Sequence, residues 1–282
     1  MEAKKLGIVV GLASAIVLGA CAHREDRWSA KVVSDDSVNI NVAMREGLAA
    51  WKERHFEREL RQALDRFEAV ASQNPYHVEA HALLARGYYL LAVAHLKEPQ
   101  DQIDALEKGL IWGRRLIQAF HPKSDPFSEE TIAKMSKRTI DVLYWTAQDL
   151  YRYSLRVGLS GELRYRPAVR ELMSRVEQLD PGYFHGAIFR FWGEVYANEN
   201  VIAGGSMERS LESLRKSLVL EQKYLGSHLA LAEIYAKHTH DQDLYKKELE
   251  FILKSDPHAL SGLYPEQVIV QRRAKKLLSA LN

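Results

Sequence analysis

The sequence predicts an all-α fold, a helical-repeat array of about four to five helix pairs that ends in a C-terminal capping helix. From residue 38 onward, apolar residues recur at the spacing of one face of an α-helix. No segment of this region alternates apolar and polar residues as a half-buried β-strand does. Asn-Pro and Asp-Pro steps follow several of the helical stretches, and such steps mark the ends of helices.

Residues 1–20 are predicted to be a lipoprotein signal peptide. Two lysines precede an uncharged, mostly apolar stretch at residues 6–18, which is the layout of a secretory signal. The Leu-Gly-Ala-Cys sequence that follows resembles a bacterial lipobox and ends at Cys21, the single cysteine of the chain. We therefore expect a lipid on Cys21 and a polar tether over residues 21–37. An uncleaved transmembrane anchor is the alternative, but the apolar stretch is short for a bilayer and contains glycines.

Residues 38–282 are predicted to form the repeat domain. Its first clear helix has Ala63, Phe67 and Val70 on one face and ends before Asn74-Pro75. A tetratricopeptide-like repeat is a helix pair of about 34 residues. Its second helix has a small, an aromatic and a small residue at this spacing and is followed by a proline, as here. Small residues at such positions let neighbouring helices approach, and large ones fill the space between them.

The middle of the domain continues the pattern less regularly. A helix with large, small and aromatic residues at the repeat positions comes first, and an inserted loop at residues 97–101 separates it from its partner. In the next pair, Asp125-Pro126 is predicted to cap and open the first helix, and Pro167 to open the second. The four helices are expected over residues 81–96 and 102–120, from Asp125 through Tyr144 and Trp145, and over residues 167–179.

Two clearer pairs and a capping helix complete the domain. In the first of these pairs, the first helix matches all four consensus positions of the repeat, with Phe189, Trp192, Gly193 and Tyr196. The last helix, expected over residues 265–281, carries apolar residues that would cover the end of the array. The other matching positions are Ser210, Leu214 and Ser217, then His228, Leu231, Ala232 and Tyr235, and then Tyr245, Leu249 and Ile252.

Several short motifs follow one another along this domain. They are Tyr144-Trp145-Thr146-Ala147, Leu179-Asp180-Pro181-Gly182-Tyr183, Trp192-Gly193-x-x-Tyr196, Gly204-Gly205 and Ala274-x-x-Leu277-Leu278. In this order, behind a lipobox, they resemble the T-component family of TRAP-associated transport systems over nearly the whole mature chain. The sequence departs from the family pattern in two places. The helix after Trp145 continues Asp149-Leu150-Tyr151 without a further expected tryptophan, and the loop Val201-Ile202-Ala203 lacks an expected proline.

The resemblance implies a periplasmic, lipid-anchored accessory protein of a TRAP-type transporter. Its implied partner is the periplasmic solute-binding (P-component) protein, and it further implies a homotrimer with an apolar passage through each protomer. Because Ala22 follows the cysteine, as in outer-membrane lipoproteins of Gram-negative cells, we expect the protein at the outer membrane, facing the periplasm. The alternative function is an outer-membrane scaffold lipoprotein, whose tetratricopeptide-like repeats hold proteins during envelope assembly or maintenance.

Four aromatic residues and two glycines are the candidate ligand-binding residues. Tyrosine and tryptophan combine an apolar surface with a polar group, which suits a ligand pocket. The alternative is repeat core for Trp192 and Tyr196, which sit at packing positions, whereas Trp145 does not follow that register. The glycine pair is predicted to form a special turn or to let the backbone approach a ligand. The six candidates are Tyr144, Trp145, Trp192, Tyr196, Gly204 and Gly205.

Charge and motif content argue against other classes of function. The 39 basic and 37 acidic residues give a formal net charge of +2, which offers no basis for nucleic acid as a partner. Neither a phosphate-binding glycine-rich loop nor a G-x-S-x-G motif is present, so we expect no enzyme and no cofactor. The histidines and carboxylates at residues 238–243 lie in a predicted loop, and we expect no metal site there.

Overall fold

The computed structural model describes residues 39–281, which form twelve α-helices without a β-strand in that range. The predicted all-α class is therefore confirmed. The signal peptide, Cys21 and the tether are predictions that lie outside the described residues. The helices are α1 (Ile40–Trp51), α2 (Glu57–Gln73), α3 (Val78–Leu90), α4 (Pro99–Phe120), α5 (Glu129–Lys134), α6 (Ile140–Arg156), α7 (Leu159–Leu179), α8 (Tyr183–Asn198), α9 (Met207–Leu220), α10 (Leu225–Ala230), α11 (Gln242–Lys254) and α12 (Tyr264–Ser279).

Helices that are consecutive in the chain pack mainly against each other. The closest associations are α1 with α2, α3 with α4, α4 with α6, α6 with α7, and α8 with α9. Helices α3 and α10 each continue into a π-helical turn, at Leu91–His95 and Leu231–Ala236. This packing of neighbours is compatible with an array of helix pairs, although a regular repeat stays a prediction.

The residues predicted for the helix faces form the core. Ala63, Phe67 and Val70 of α2 are fully buried. Gly193 of α8 lies against α9, because a Cβ atom on it would come within 2.7 Å of the Leu214 side chain. A larger residue at Gly193 would therefore separate these two helices.

Side-chain caps fix where several helices begin. The side chains of Asn39, Ser206 and Asp241 accept hydrogen bonds from the backbone amides at the starts of α1, α9 and α11. These amides have no partner within the helix, so a capping oxygen stabilises the first turn by about 1 kcal/mol.

Three predicted boundaries are wrong. Pro99 does not lie in a loop but begins α4, because the first residue of a helix needs no amide hydrogen. Asp125 does not cap a helix: its Oδ1 accepts from the amide of Phe127 at 3.0 Å, and Ser128 caps α5 instead. Pro167 does not open a helix but lies inside α7, which already begins at Leu159.

The last helix is a single segment, as predicted, and it covers an apolar cluster. Ala274 of α12 is fully buried, and Leu277 and Leu278 pack against buried residues of α10 and α11. None of the helices between residues 39 and 281 is long and apolar enough to cross a membrane.

Helix α12 also contacts the other end of the described chain. The Arg54 guanidinium, just after α1, donates two hydrogen bonds to the Glu266 carboxylate, with Nε to Oε1 at 2.8 Å. The same guanidinium donates to the carbonyl oxygens of Trp51 at 2.8 Å and Gly262 at 2.7 Å. Arg272 of α12 donates to the carbonyl oxygen of His55 at 2.7 Å. The turn after α1 and the last helix are therefore joined directly.

Candidate functional site

Tyr144 and Trp145 on α6 belong to a continuous group of aromatic rings. Both side chains are 5% exposed, and their ring centroids lie 4.8 Å apart in an edge-to-face arrangement. Tyr89 of α3 and Phe184 of α8 each lie 5.4 Å from the Trp145 ring. Residues from three helices thus meet at Trp145.

A guanidinium occupies the centre of this group. Arg86 of α3 lies over the rings of Trp51 at 5.6 Å, Trp145 at 5.3 Å and Phe184 at 4.8 Å. These distances are within the range of a cation–π attraction. We call these four residues, with Tyr89 and Tyr144, the Arg86 cluster.

Glu266 of α12 supplies the carboxylate that pairs with Arg86 in this cluster. It accepts from Arg86 Nη2 at 2.5 Å and also from Arg54, so two guanidinium groups share one carboxylate. Burial alone would raise the pKa of Glu266, but the charge of Arg86 and the hydrogen bond of Arg54 hold it below its ordinary value. Glu266 is therefore an anion in the folded protein at neutral pH.

An unusual backbone turn places Phe184 over Arg86. Phe184, His185 and Gly186 have φ angles of 44°, 56° and 73°, which lie in the left-handed region. For bulky residues such a conformation costs about 1–3 kcal/mol each and requires support from its surroundings. Arg190 gives that support, because its guanidinium donates to the carbonyl oxygens of Phe184, at 2.8 Å, and His185.

His185 and Tyr224 close one side of the cluster. Their rings are stacked, with centroids 5.5 Å apart and planes 12° from parallel. Arg190 lies over the Tyr224 ring at 4.3 Å. Burial lowers the pKa of His185, which favours the neutral imidazole at neutral pH.

The other predicted residues lie in a second group. The rings of Trp192 and Tyr196 on α8 are stacked with centroids 6.2 Å apart, and Arg209 lies over Tyr196 at 3.9 Å. Trp192 Nε1 donates to Glu177 at 3.1 Å. Among the described residues, these two rings share no ring contact with Tyr144 or Trp145. The structure therefore brings the predicted aromatic residues together as two pairs.

The glycine pair forms the turn between α8 and α9. Gly204 has a φ of 98°, and its carbonyl oxygen accepts from Arg209 at 3.4 Å. A Cβ atom on Gly205 would lie 1.8 Å from the Glu199 carbonyl oxygen. Turn geometry accounts for both glycines, and a role in binding a ligand stays a prediction.

A surface groove runs along α8 and α9. It has a volume of about 560 Å³, and its apolar lining consists of Phe189, Leu211, Val219 and Leu220. Val219 is 80% exposed. The groove thus presents apolar side chains to solvent.

The sequence did not point to the residues at the centre of the Arg86 cluster. Trp51, Arg86, Phe184 and Glu266 are far apart in the chain and match no motif. One signal was available, because Arg86 interrupts an otherwise apolar stretch of α3, and a charge in such a place requires a partner.

Comparison with known proteins gives one family. A family model described as the TRAP transporter T-component matches residues 56–282, which include every helix from α2 to α12. No curated protein matches the chain.

Proposed function

The chain belongs to the TRAP transporter T-component family, and from this premise we propose that it is the lipid-anchored periplasmic accessory protein of a TRAP-type transport system. In this proposal the mature domain binds a periplasmic solute-binding protein, the P-component, and an apolar ligand. Membership of the family supports an accessory role in TRAP transport and an association with the cell envelope. The match over residues 56–282 is the observation that carries the proposal.

The lipid anchor is proposed on Cys21. The lipobox and the apolar stretch before it support export and lipidation. Anchoring through several acyl chains holds a protein at a bilayer without a spanning helix. Outer-membrane sorting and assembly into a homotrimer belong to the same proposal.

The Arg86 cluster is the proposed place for the ligand. Its aromatic rings offer an apolar surface, and Tyr89 and Phe184 are only half-buried, so part of that surface is open to a ligand. The Trp192 and Tyr196 pair is a second ligand contact in this proposal. Pockets of this kind are mostly apolar with a few convergent polar groups.

The groove along α8 and α9 is the proposed contact for the solute-binding protein. Its exposed apolar residues are flanked by Glu212 and Lys216, which form an ion pair at 2.8 Å. An apolar centre with a charged rim is the usual composition of a protein–protein contact.

The partner proposal is tested by co-purification of the full chain, produced together with the TRAP proteins of the same cell. A solute-binding protein is expected to co-purify, and Val219→Glu should reduce its recovery about tenfold because a carboxylate would be buried in the contact. Leu159→Glu, which changes an exposed leucine on α7, is the matched control and should leave recovery unchanged. Recovery of outer-membrane assembly proteins without a solute-binding protein would instead support the scaffold function.

A further inference from the structure

The two arginines that share Glu266 differ in how well their donors are satisfied. Arg54 is 3% exposed, and its donors reach Glu266 and the carbonyl oxygens of Trp51 and Gly262. Arg86 is hydrogen-bonded to Glu266 through Nη2. Among the described residues its Nε has no hydrogen-bond partner, although this atom is buried. Arg86 therefore carries a buried donor that the described residues leave unsatisfied.

The aromatic rings around Arg86 do not replace the missing acceptor. The rings of Trp51, Trp145 and Phe184 attract the cation through their faces, but a guanidinium has five N–H donors, which are best satisfied by oxygen. An unsatisfied donor in a buried place is costly, and a ligand oxygen would remove that cost. Arg86 is also within reach of a ligand, because its side chain is 16% exposed.

The charge balance around Glu266 favours an anion. Arg54 and Arg86 together carry two positive charges against the single charge of Glu266. Farther out, Arg190 acts with Arg86 on Tyr224, but the carboxylates of Asp141 and Glu221 act with Arg86 on Tyr183 and His185. The excess of positive charge is therefore confined to the two guanidinium groups that share Glu266. An aromatic cage can also bind a cation, but here the cage already holds the cation of Arg86, which would repel a second one.

We propose that Arg86 binds the anionic head of an amphipathic ligand, a carboxylate or phosphate monoester, whose apolar body lies against Trp145 and Phe184. A planar guanidinium matches both head groups through paired hydrogen bonds. The turn at Phe184 and His185, supported by Arg190, holds one wall of this site. This inference rests on the proposed function, and it names the class of ligand for the same site.

The test uses the full chain in nanodiscs of uncharged lipid. Energy transfer from tryptophan to dansylaminoundecanoic acid is compared with transfer to its methyl ester, and empty nanodiscs correct for partition into lipid. The acid should bind at least about tenfold more tightly than the ester, because only the acid forms charged hydrogen bonds with Arg86. Equal binding of acid and ester by the wild-type chain overturns the inference but leaves the apolar ligand of the proposed function in place. If neither compound binds, both proposals fail.

Variants test whether Arg86 causes the tighter binding of the acid relative to the ester. Arg86→Gln should lower the affinity for the acid about tenfold and leave the affinity for the ester within about twofold. Arg164→Gln is the matched control, since Arg164 also lies over an aromatic ring, Tyr165, but is exposed and belongs to neither aromatic group. Circular dichroism confirms that each variant is folded, and Arg86→Met, which is also uncharged, takes the place of Arg86→Gln if that variant unfolds. A folded Arg86 variant that keeps the full preference for the acid overturns the assignment.

Competition identifies the head group. Laurate and dodecyl phosphate should both displace the dansyl acid, and the one that acts at the lower concentration names the preferred head. Dodecanol, which has the same body without a charge, should displace it poorly. Equal displacement by dodecanol overturns the anionic head.

Discussion

Asp149 is a fully buried carboxyl group on α6 that faces Gly109 on α4. Neither of its oxygens has a hydrogen-bond partner within the described residues, and a Cβ atom on Gly109 would lie 2.2 Å from Oδ2. Burial raises the pKa of Asp149 well above its ordinary value, because water no longer stabilises the carboxylate. The folded protein therefore favours the protonated acid.

Asp149→Asn should change how stability depends on pH. Above a pKa of about 4 the unfolded chain releases this proton while the folded chain keeps it, so the free energy of unfolding falls by about 1.4 kcal/mol per pH unit until the folded pKa is reached. The Asp149→Asn variant has no carboxyl group at this position, so its free energy of unfolding does not fall with pH in this way. We expect it to be more stable than the wild type at pH 7, with a difference that shrinks toward pH 4.

Urea unfolding at several pH values measures this difference. Asp65→Asn, which changes an exposed aspartate on α2, is the control and should give parallel curves for variant and wild type. A constant gap between Asp149→Asn and wild type across this pH range would contradict the prediction.

At the residue scale, the sequence indicates individual aromatic side chains but not the residues that surround them. Tyr144 and Trp145, which the sequence indicates as candidate ligand-binding residues, lie in one aromatic group, whereas nothing in the sequence indicates Arg86 and Glu266 as their neighbours. Their contact depends on the packing of α3 and α12, which lie 180 residues apart in the chain. The burial of Asp149 was equally hidden, because an aspartate on an amphipathic helix normally faces solvent.

At the scale of elements, α7 shows why one helix boundary was missed. Proline usually stands in the first turn of a helix, so the sequence predicts that a helix begins at Pro167. The preceding turns were not recognised because Leu159 and Leu163 are 69% and 59% exposed and give no buried face to detect. Apolar periodicity in the sequence predicts which helices exist and in what order. A helix end on an exposed stretch is not marked by that periodicity, so it is not predicted.

Pro167→Ala should stabilise the protein. Proline inside a helix lacks the amide hydrogen and crowds the carbonyl of residue 163, and alanine removes both defects. We expect the free energy of unfolding to rise by about 1–3 kcal/mol.

Pro99→Ala is the matched control, because Pro99 stands at the first position of α4, where its ring is tolerated. This change should alter stability by less than about 0.5 kcal/mol in denaturant titrations. Equal effects of the two substitutions would show that Pro167 is not held in a regular helical turn.

At the scale of the whole described domain, Glu266 joins the last helix to the turn after α1 and to α3. The side chains of Arg54 and Glu266 are 3% and 8% exposed, so this ion pair is shielded from water. Buried pairs of this kind contribute modestly when intact, but the loss of one partner leaves an uncompensated charge.

Glu266→Ala should therefore destabilise the domain by about 3–5 kcal/mol, because Arg54 remains buried without its carboxylate. Glu233→Ala is the matched control. It breaks the pair with Arg273 at 2.6 Å, whose side chains are 25% and 48% exposed, and should cost less than about 1 kcal/mol. Thermal melting followed by circular dichroism compares the two, and similar losses would mean that the Glu266 contact is open to solvent.

The distance in sequence between Arg54 and Glu266 also affects when their ion pair can form during synthesis. The two residues are 212 positions apart in the chain. Because a ribosome adds about 5–20 residues per second, Arg54 is synthesised about 10–40 s before Glu266, which supplies the carboxylate of the pair. Helices that contact only their neighbours can settle one after another as the chain emerges. This protein completes its buried ion pair only after the start of its last helix has been synthesised.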